Sequence, residues 1–493
     1  MAETTTRSAL PKGFRSAEQG WPELHRIPHP PHRLPLLGDV LGASRTTPLQ
    51  DSVRHARRLG PIFRRKAFGR EFVFVWGAAL TADFADESRF AKHVGLGIAN
   101  LRPVVGDALF TAYNHEPNWQ LAHDVLAPGF SREAMEGYHS MMLDVAGRLT
   151  DHWDRAALAG RTVDVPGDMT KLTLETIART GFGHDFGSFE RSRPHPFVTA
   201  MIGTLAHAQR MNTVPAPFLL RRSARRNEAD IAYLNRTVDD LVRARRTTSG
   251  DGDLLDRMLE TAHPRTGERL SAENVRRQVI TFLVAGHETT SGALSFALYY
   301  LARHPDVAAR ARAEVDRVWG DADLPEYDQV AKLRYVRRVL DESLRLWPTA
   351  PAFAREARED TVLAGEHPMR RGAWALVLTP MLHRDPEVWG ADAEHFDPDR
   401  FEPKAVRSRP PHTFKPWGTG ARACIGRQFA LHEATLILGL LLRRYEFLSD
   451  PAYRLRVTER LTLMPEGLRM GLERRAAVDV GSELRCPVRR AGE

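Results

Sequence analysis

Apolar positions along the chain fall into successive textures. Residues 1 to about 30 are polar and Pro-containing, closing on Pro28-His29-Pro30-Pro31, and read as a mobile leader too poor in apolar residues to cross a bilayer. The alternating run Phe72-Val73-Phe74-Val75-Trp76 predicts a strand, and so a small sheet near the N-terminus. From about residue 116 to 350 apolar residues recur at helical spacing over Glu133 to Ala156, Asp168 to Gly181, Asn227 to Arg246, Ser271 to Arg303 and Asp306 to Trp319. Between Asn212 and Arg226 a Pro-containing, Arg-rich stretch interrupts this pattern and predicts a connection that could serve as a lid. After Pro348 come short strand-like runs, a last strong helix over Arg427 to Tyr445, and a hairpin around Leu461-Thr462-Leu463. With no internal repeat and no Gly/Ser-rich linker, the reading is one large domain, mainly α with a small β region.

Composition narrows the function classes. The 493 residues are 42% hydrophobic and 27% charged, the profile of a folded chain able to bury a large core. The two cysteines, Cys424 and Cys486, are too few for a disulfide framework, and no secretory signal opens the chain, so a cytoplasmic, reducing compartment is expected. Net charge is +8, but the basic residues are nearly all Arg and are scattered, which fits a solvated surface better than a nucleic-acid footprint.

Ser271, with Glu273 and Asn274, can cap a helix of about 30 residues, roughly 45 Å long at 1.5 Å per residue. A membrane span is the plain competitor, but the central run His287-Glu288-Thr289-Thr290-Ser291 would be costly in lipid, and a buried helix passing a polar cavity fits better. Ala285 and Thr289 share a face, Gly286 removes a side chain beside them, and the Thr289 hydroxyl can bond the Ala285 carbonyl. That combination predicts a groove beside a bulky planar ligand, with Glu288 as a proton donor next to Thr289; a polar kink filled by water is the plain alternative. The second His of a zinc-protease motif is missing, since position 291 is Ser.

The stretch Phe414-Lys415-Pro416-Trp417-Gly418-Thr419-Gly420-Ala421-Arg422-Ala423-Cys424-Ile425-Gly426 leads straight into the last helix. Backbone N–H groups at a helix start stabilise a thiolate, and Arg422 adds charge nearby, so Cys424 is a candidate metal ligand of the kind that favours O–O cleavage on haem iron. A small buried Cys is the plain alternative. The partial dinucleotide fingerprint Gly418-x-Gly420-x-x-Ala423 lacks both the preceding strand and the later acid, Arg443 and Arg444 standing there instead.

The cysteine loop, Ala285-Gly286-His287-Glu288-Thr289-Thr290 and Glu342-Ser343-Leu344-Arg345 resemble, in order and spacing, the three signatures of the cytochrome P-450 superfamily of haem-thiolate monooxygenases. The nearest resemblance, over residues 33 to 474, is to bacterial fatty-acid hydroxylases with a haem domain fused to a diflavin reductase. It includes Glu87-Ser88-Arg89-Phe90, Leu109-Phe110-Thr111 and Leu346-Trp347-Pro348-Thr349-Ala350-Pro351. The resemblance implies the P-450 fold with its long central helix over haem b, a leader over 1–32, the haem domain over 33–474 and a basic tail over 475–493. It implies Cys424 as iron ligand and Trp119, His123 and Arg422 at the haem propionates. Ile98, Leu101, Val105, Phe110, Ala285, Ala350 and Leu461 would line the substrate channel, Thr289 and Glu288 would relay protons, and Glu342, Arg345 and Arg400 would form a buried network.

Three departures from the family pattern carry expectations of their own. The chain stops soon after the haem-domain pattern, so electrons are expected from a separate ferredoxin or flavodoxin with its NAD(P)H-dependent reductase, acidic carriers that suit the basic balance. Trp417 stands where Phe is usual and is expected to pack against the thiolate and alter its potential. Arg70 matches the residue proposed to hold a fatty-acid carboxylate, but Phe74 replaces its Tyr companion. The expected reaction is O2-dependent oxidation of a small apolar substrate, a fatty acid or a secondary-metabolite scaffold. A peroxide-driven haem enzyme and a haem sensor without turnover are the alternatives.

Overall fold

The computed structural model describes residues 20–475, apart from 36, 42, 45, 192, 215–219 and 248–251. An N-terminal helix, α1 (Pro48–Leu59), carries Pro in its first turn and leads into a hairpin of β1 (Ile62–Ala67) and β2 (Arg70–Val75). Its register pairs Phe63 with Phe74, Arg65 with Phe72 and Ala67 with Arg70. Further on, β3 (Phe90–Lys92), β4 (Ala352–Ala357) and β5 (Trp374–Leu378) complete a five-stranded sheet in the order β1-β2-β5-β4-β3. Only β2 and β5 run parallel, as expected of two strands far apart in sequence.

Helices dominate the rest. The ones that place the site are α2 (Asn118–Leu126), α3 (Arg132–Leu158), α4 (Val165–Phe182), α5 (Pro196–Thr213), α6 (Arg221–Arg245), α7 (Ala272–Arg303), α8 (Pro305–Trp319), α9 (Arg334–Leu346) and α10 (Arg427–Arg444). The anticipated helices are all found, with ends shifted by a few residues. Two expectations need correction. The Arg-rich segment from Arg221 to Arg226 is the first part of α6, so the break is confined to about residues 214–220, most of which lie outside the described residues. Residues 20–32 are not a loose leader: Trp21, Leu24 and Ile27 are buried in a cluster with β2 and β5, and the Trp21 indole donates to the Trp374 carbonyl at 3.2 Å. Of the expected tail only Arg475 is described, paired with Asp316 at 2.7 Å.

At 32 residues α7 is about 48 Å long, and Ser271 caps it by accepting the Asn274 N–H. It is buried on nearly every face through its central half and packs along α4, where the Thr173 hydroxyl donates to the His287 carbonyl at 2.9 Å. Just past its middle it meets a hairpin of β6 (Val457–Glu459) and β7 (Leu463–Pro465). Gly292 permits that contact, since a Cβ there would stand 2.7 Å from the Leu463 carbonyl oxygen. Among the described residues no helix is long and apolar enough to cross a membrane.

Candidate active site

A cavity of about 890 Å³ lies between the middle of α7, the cysteine loop and the β1–β2 hairpin. Ala285, inside an otherwise buried helix, is exposed because its face forms the cavity wall. The Thr289 hydroxyl donates to the Ala285 carbonyl at 2.8 Å, as its spacing implies. Gly286 faces elsewhere: a Cβ there would meet Ile177 at 3.1 Å, so this glycine serves the packing of α7 on α4 and not the groove. Glu288 lines the cavity but is engaged, accepting from the Thr462 hydroxyl at 3.1 Å and lying 3.6 Å from the Arg460 guanidinium.

Cys424 opens onto the same cavity, two residues before the cap of α10 at Gly426, with its N–H bonded to the Trp417 carbonyl at 2.9 Å. Protein surrounds the sulfur on the other sides, and that burial pushes the thiol up, while the Gly426 N–H and the Arg427 charge pull it down. Burial is the larger effect, so the thiol stands above its ordinary value, and the helix start and its cation, Arg427 and not Arg422, only partly offset it. Arg422 points to the carbonyls of Leu109 and Ala112 and covers the Trp119 ring. The loop is held open by Glu87, whose carboxylate accepts the Ala421 N–H. Gly420, at φ +69°, leaves no room for a Cβ beside that carboxylate.

The charges around this cavity fit an anionic planar ligand. Lys92 is half-buried and, among the described residues, its ammonium donates only to the Phe110 carbonyl, at 2.7 Å, and lies over the Phe110 ring. Burial, with Arg422 nearby, pushes it down to about 7. Arg422 is likewise pushed down to about 10 by burial, and its Nε has no hydrogen-bond partner among the described residues. Two poorly compensated cations, with Trp119 stacked on His123 beside them, are what carboxylate groups at one edge of a haem would neutralise. Cys424 would hold the iron and Lys92, Arg422, Trp119 and His123 the propionates, with Ala285 and Thr289 lining the same cavity.

Beneath the loop, the fully buried Arg345 is bidentate to Glu342 at 2.6 and 2.7 Å and donates to the carbonyls of His383, Ala393 and His395. Burial still pushes Glu342 up, against the pull of Arg345. Arg400 approaches Glu342 only to 3.8 Å; it pairs instead with the Asp392 carboxylate at 2.6 Å and donates to the Trp389 and Asp392 carbonyls. His383 ties this network to the loop, its ring accepting the Lys415 N–H at 2.8 Å.

Of the anticipated site residues, Ile98, Leu101, Val105, Phe110, Ala350, Leu461, Trp119, His123, Trp417, Arg422, Cys424, Ala285, Glu288 and Thr289 all line this one cavity. Arg70 does not. It lies at the hairpin tip, outside the lining, while Arg65 on the paired strand is part of the wall. Sequence reasoning also passed over Lys92, Glu87, His383, Arg460 and Thr462. Lys92 carried a usable signal, being one of few lysines in an Arg-rich chain and close after the Glu87-Ser88-Arg89-Phe90 stretch. The others depend on contacts between distant segments.

Residues 28–470 match the cytochrome P450 family model. The chain is 47% identical over 433 residues to a bifunctional cytochrome P450/NADPH–P450 reductase 2 of Bacillus subtilis, covering 87% of this chain and 41% of that protein. It is 46% identical over 447 residues to a bifunctional cytochrome P450/NADPH–P450 reductase of Bacillus cereus, covering 89% and 41%. A self-sufficient cytochrome P450 monooxygenase of Exserohilum turcicum is 38% identical over 456 residues, covering 91% and 42%. The chain thus spans about two fifths of the length of these relatives. It belongs to the cytochrome P450 family, and its cofactor is haem b.

Proposed function

We propose that the protein is a monooxygenase that inserts one atom of O2 into an apolar, chain-like substrate such as a fatty acid. The observation that carries this reading is that Cys424 and the Ala285–Thr289 face open onto a single, largely apolar cavity with two undercompensated cations at its side. The haem supplies the oxygen chemistry. This chain's residues do the rest. Phe110, Ala285, Ala350 and Leu461 exclude water and hold the chain. The Thr289 hydroxyl, already donating to a backbone carbonyl, can pass a proton at Oγ, and Glu288 replenishes it once its carboxylate leaves Thr462 and Arg460.

Electrons reach the site from a ferredoxin or flavodoxin with its NAD(P)H-dependent reductase, a carrier whose usual acidity is matched by the +8 net charge. The Trp417 indole, with its N–H unpartnered among the described residues, would tune the potential from beside the sulfur. The test is the carbon monoxide spectrum of the reduced protein, expected to show the red-shifted Soret band of sulfur ligation and to lose it in Cys424→Ala. It is joined to donor-driven O2 uptake with a panel of apolar compounds. Turnover with peroxide but none with electron donors would instead identify a peroxide-driven enzyme.

A further inference from the structure

We propose that Arg65, and not Arg70, anchors the substrate, taking a carboxylate head group at the cavity wall; this rests on the reading that the cavity holds an apolar chain. Cross-strand partners in an antiparallel pair share a face, and the register, with Arg65 opposite Phe72 and Arg70 opposite Ala67, puts both arginines on the same face of the hairpin at different distances from its tip. Arg65 is thus one step of two residues, roughly 7 Å, further from the hairpin tip than Arg70. Arg65, Phe68, Phe72 and Phe74 line the cavity, and Arg70 is not among the lining residues. Phe74, stacked on Phe63 at 5.1 Å, has no hydroxyl with which to assist Arg70.

The guanidinium of Arg65 has donors to spare. Its Nη1 donates to the Pro48 carbonyl at 3.1 Å and the Ser52 hydroxyl at 2.8 Å, and its other nitrogens make no hydrogen bond among the described residues. No carboxylate of the described residues forms an ion pair with it. The two whose charge it feels are committed elsewhere: Asp39 to Arg33 and the Lys66 N–H, both at 2.7 Å, and Glu459 to the amides of Leu49 and Gln50. Burial pushes Arg65 below its ordinary value, whereas Arg245, with two aspartates, is pushed up. A planar cation with free donors at an apolar wall suits a carboxylate bound through two parallel hydrogen bonds, with Phe68 and Phe72 beside the first methylenes.

The competing role is a strut that ties β1 to α1 through Pro48 and Ser52. Spectral titration of the haem-loaded protein with dodecanoic acid and with 1-dodecanol separates the two. The acid should bind at least tenfold more weakly to Arg65→Gln, with alcohol affinity unchanged within twofold. Arg65→Lys should recover part of the loss, and Arg70→Gln should change neither ligand. Equal losses for acid and alcohol in both Arg65 variants, an acid affinity indifferent to Arg65, or one that falls in Arg70→Gln would overturn the anchor while leaving the apolar-chain reading intact. Absence of any spectral change with either compound would overturn both.

Discussion

The ring Nε2 of His383 accepts the backbone N–H of Lys415 at 2.8 Å, while the His383 carbonyl accepts from Arg345 at 2.9 Å. One residue thus connects the buried Glu342–Arg345 pair to the start of the loop that carries Cys424. Replacing His383 by Leu would leave a buried N–H without a partner, at a cost of about 1–3 kcal/mol. The expected result is a lower melting temperature of the haem-loaded protein together with a shifted or broadened carbon monoxide band, because the loop loses its support. A variant that melts early with an unchanged band would confine His383 to the core.

Acid sensitivity follows from two buried histidines. His383 is pushed down to about 3 by burial and by Arg345 and Arg384, and His432 to about 4 by burial and by His139. In the unfolded chain both take up a proton near pH 6.5. Above that pH both states are neutral and neither group matters. As pH falls below it the unfolded state binds protons that the folded state refuses, so stability drops by up to about 1.4 kcal/mol per pH unit for each group. Denaturant titrations between pH 7 and 5 should show this slope, and His432→Gln should flatten it by about one proton.

Much of this site was legible in the sequence because its chemistry is local. Cys424 before a helix, Thr289 four residues after Ala285, and Glu342 three before Arg345 are spacings that a helix turns into contacts. What escaped depends on segments far apart: Glu87 reaches Ala421, and Thr462 reaches Glu288. Arg70 falls outside the cavity wall for a related reason: a matched position says nothing about how far a hairpin tip reaches, and Arg70 shares a face with Arg65 but sits one step nearer the tip. The described part of the leader, from residue 20, was misjudged because its anchors, Trp21, Leu24 and Ile27, are only three, with prolines at 22 and 28 that discourage reading a helix or a strand.

Thr289 and Glu288 should separate oxygen use from product formation. Thr289→Ala removes a hydroxyl whose only hydrogen bond as donor is to its own helix, so folding and haem content should be unchanged. Proton delivery by a positioned group contributes roughly 10²–10⁴-fold. The expected outcome is that electron consumption persists while product falls at least tenfold and hydrogen peroxide accumulates. Glu288→Gln should give the same pattern. Tight coupling in both variants would remove them from the relay.

Lys92 should show effects of opposite sign with and without the cofactor. In the protein alone its half-buried ammonium lies near Arg422 with one carbonyl as acceptor among the described residues, and burial pushes it down to about 7 because the charge is poorly compensated. Lys92→Met removes that charge while keeping most of the apolar volume, so the haem-free protein should become more stable, most clearly below pH 7 where Lys92 must carry its proton. With haem bound, the same substitution takes away a partner for a propionate, and haem should be lost several-fold faster to a scavenger such as apomyoglobin. Both measurements are needed, because a residue that merely fills space would move both stabilities in the same direction.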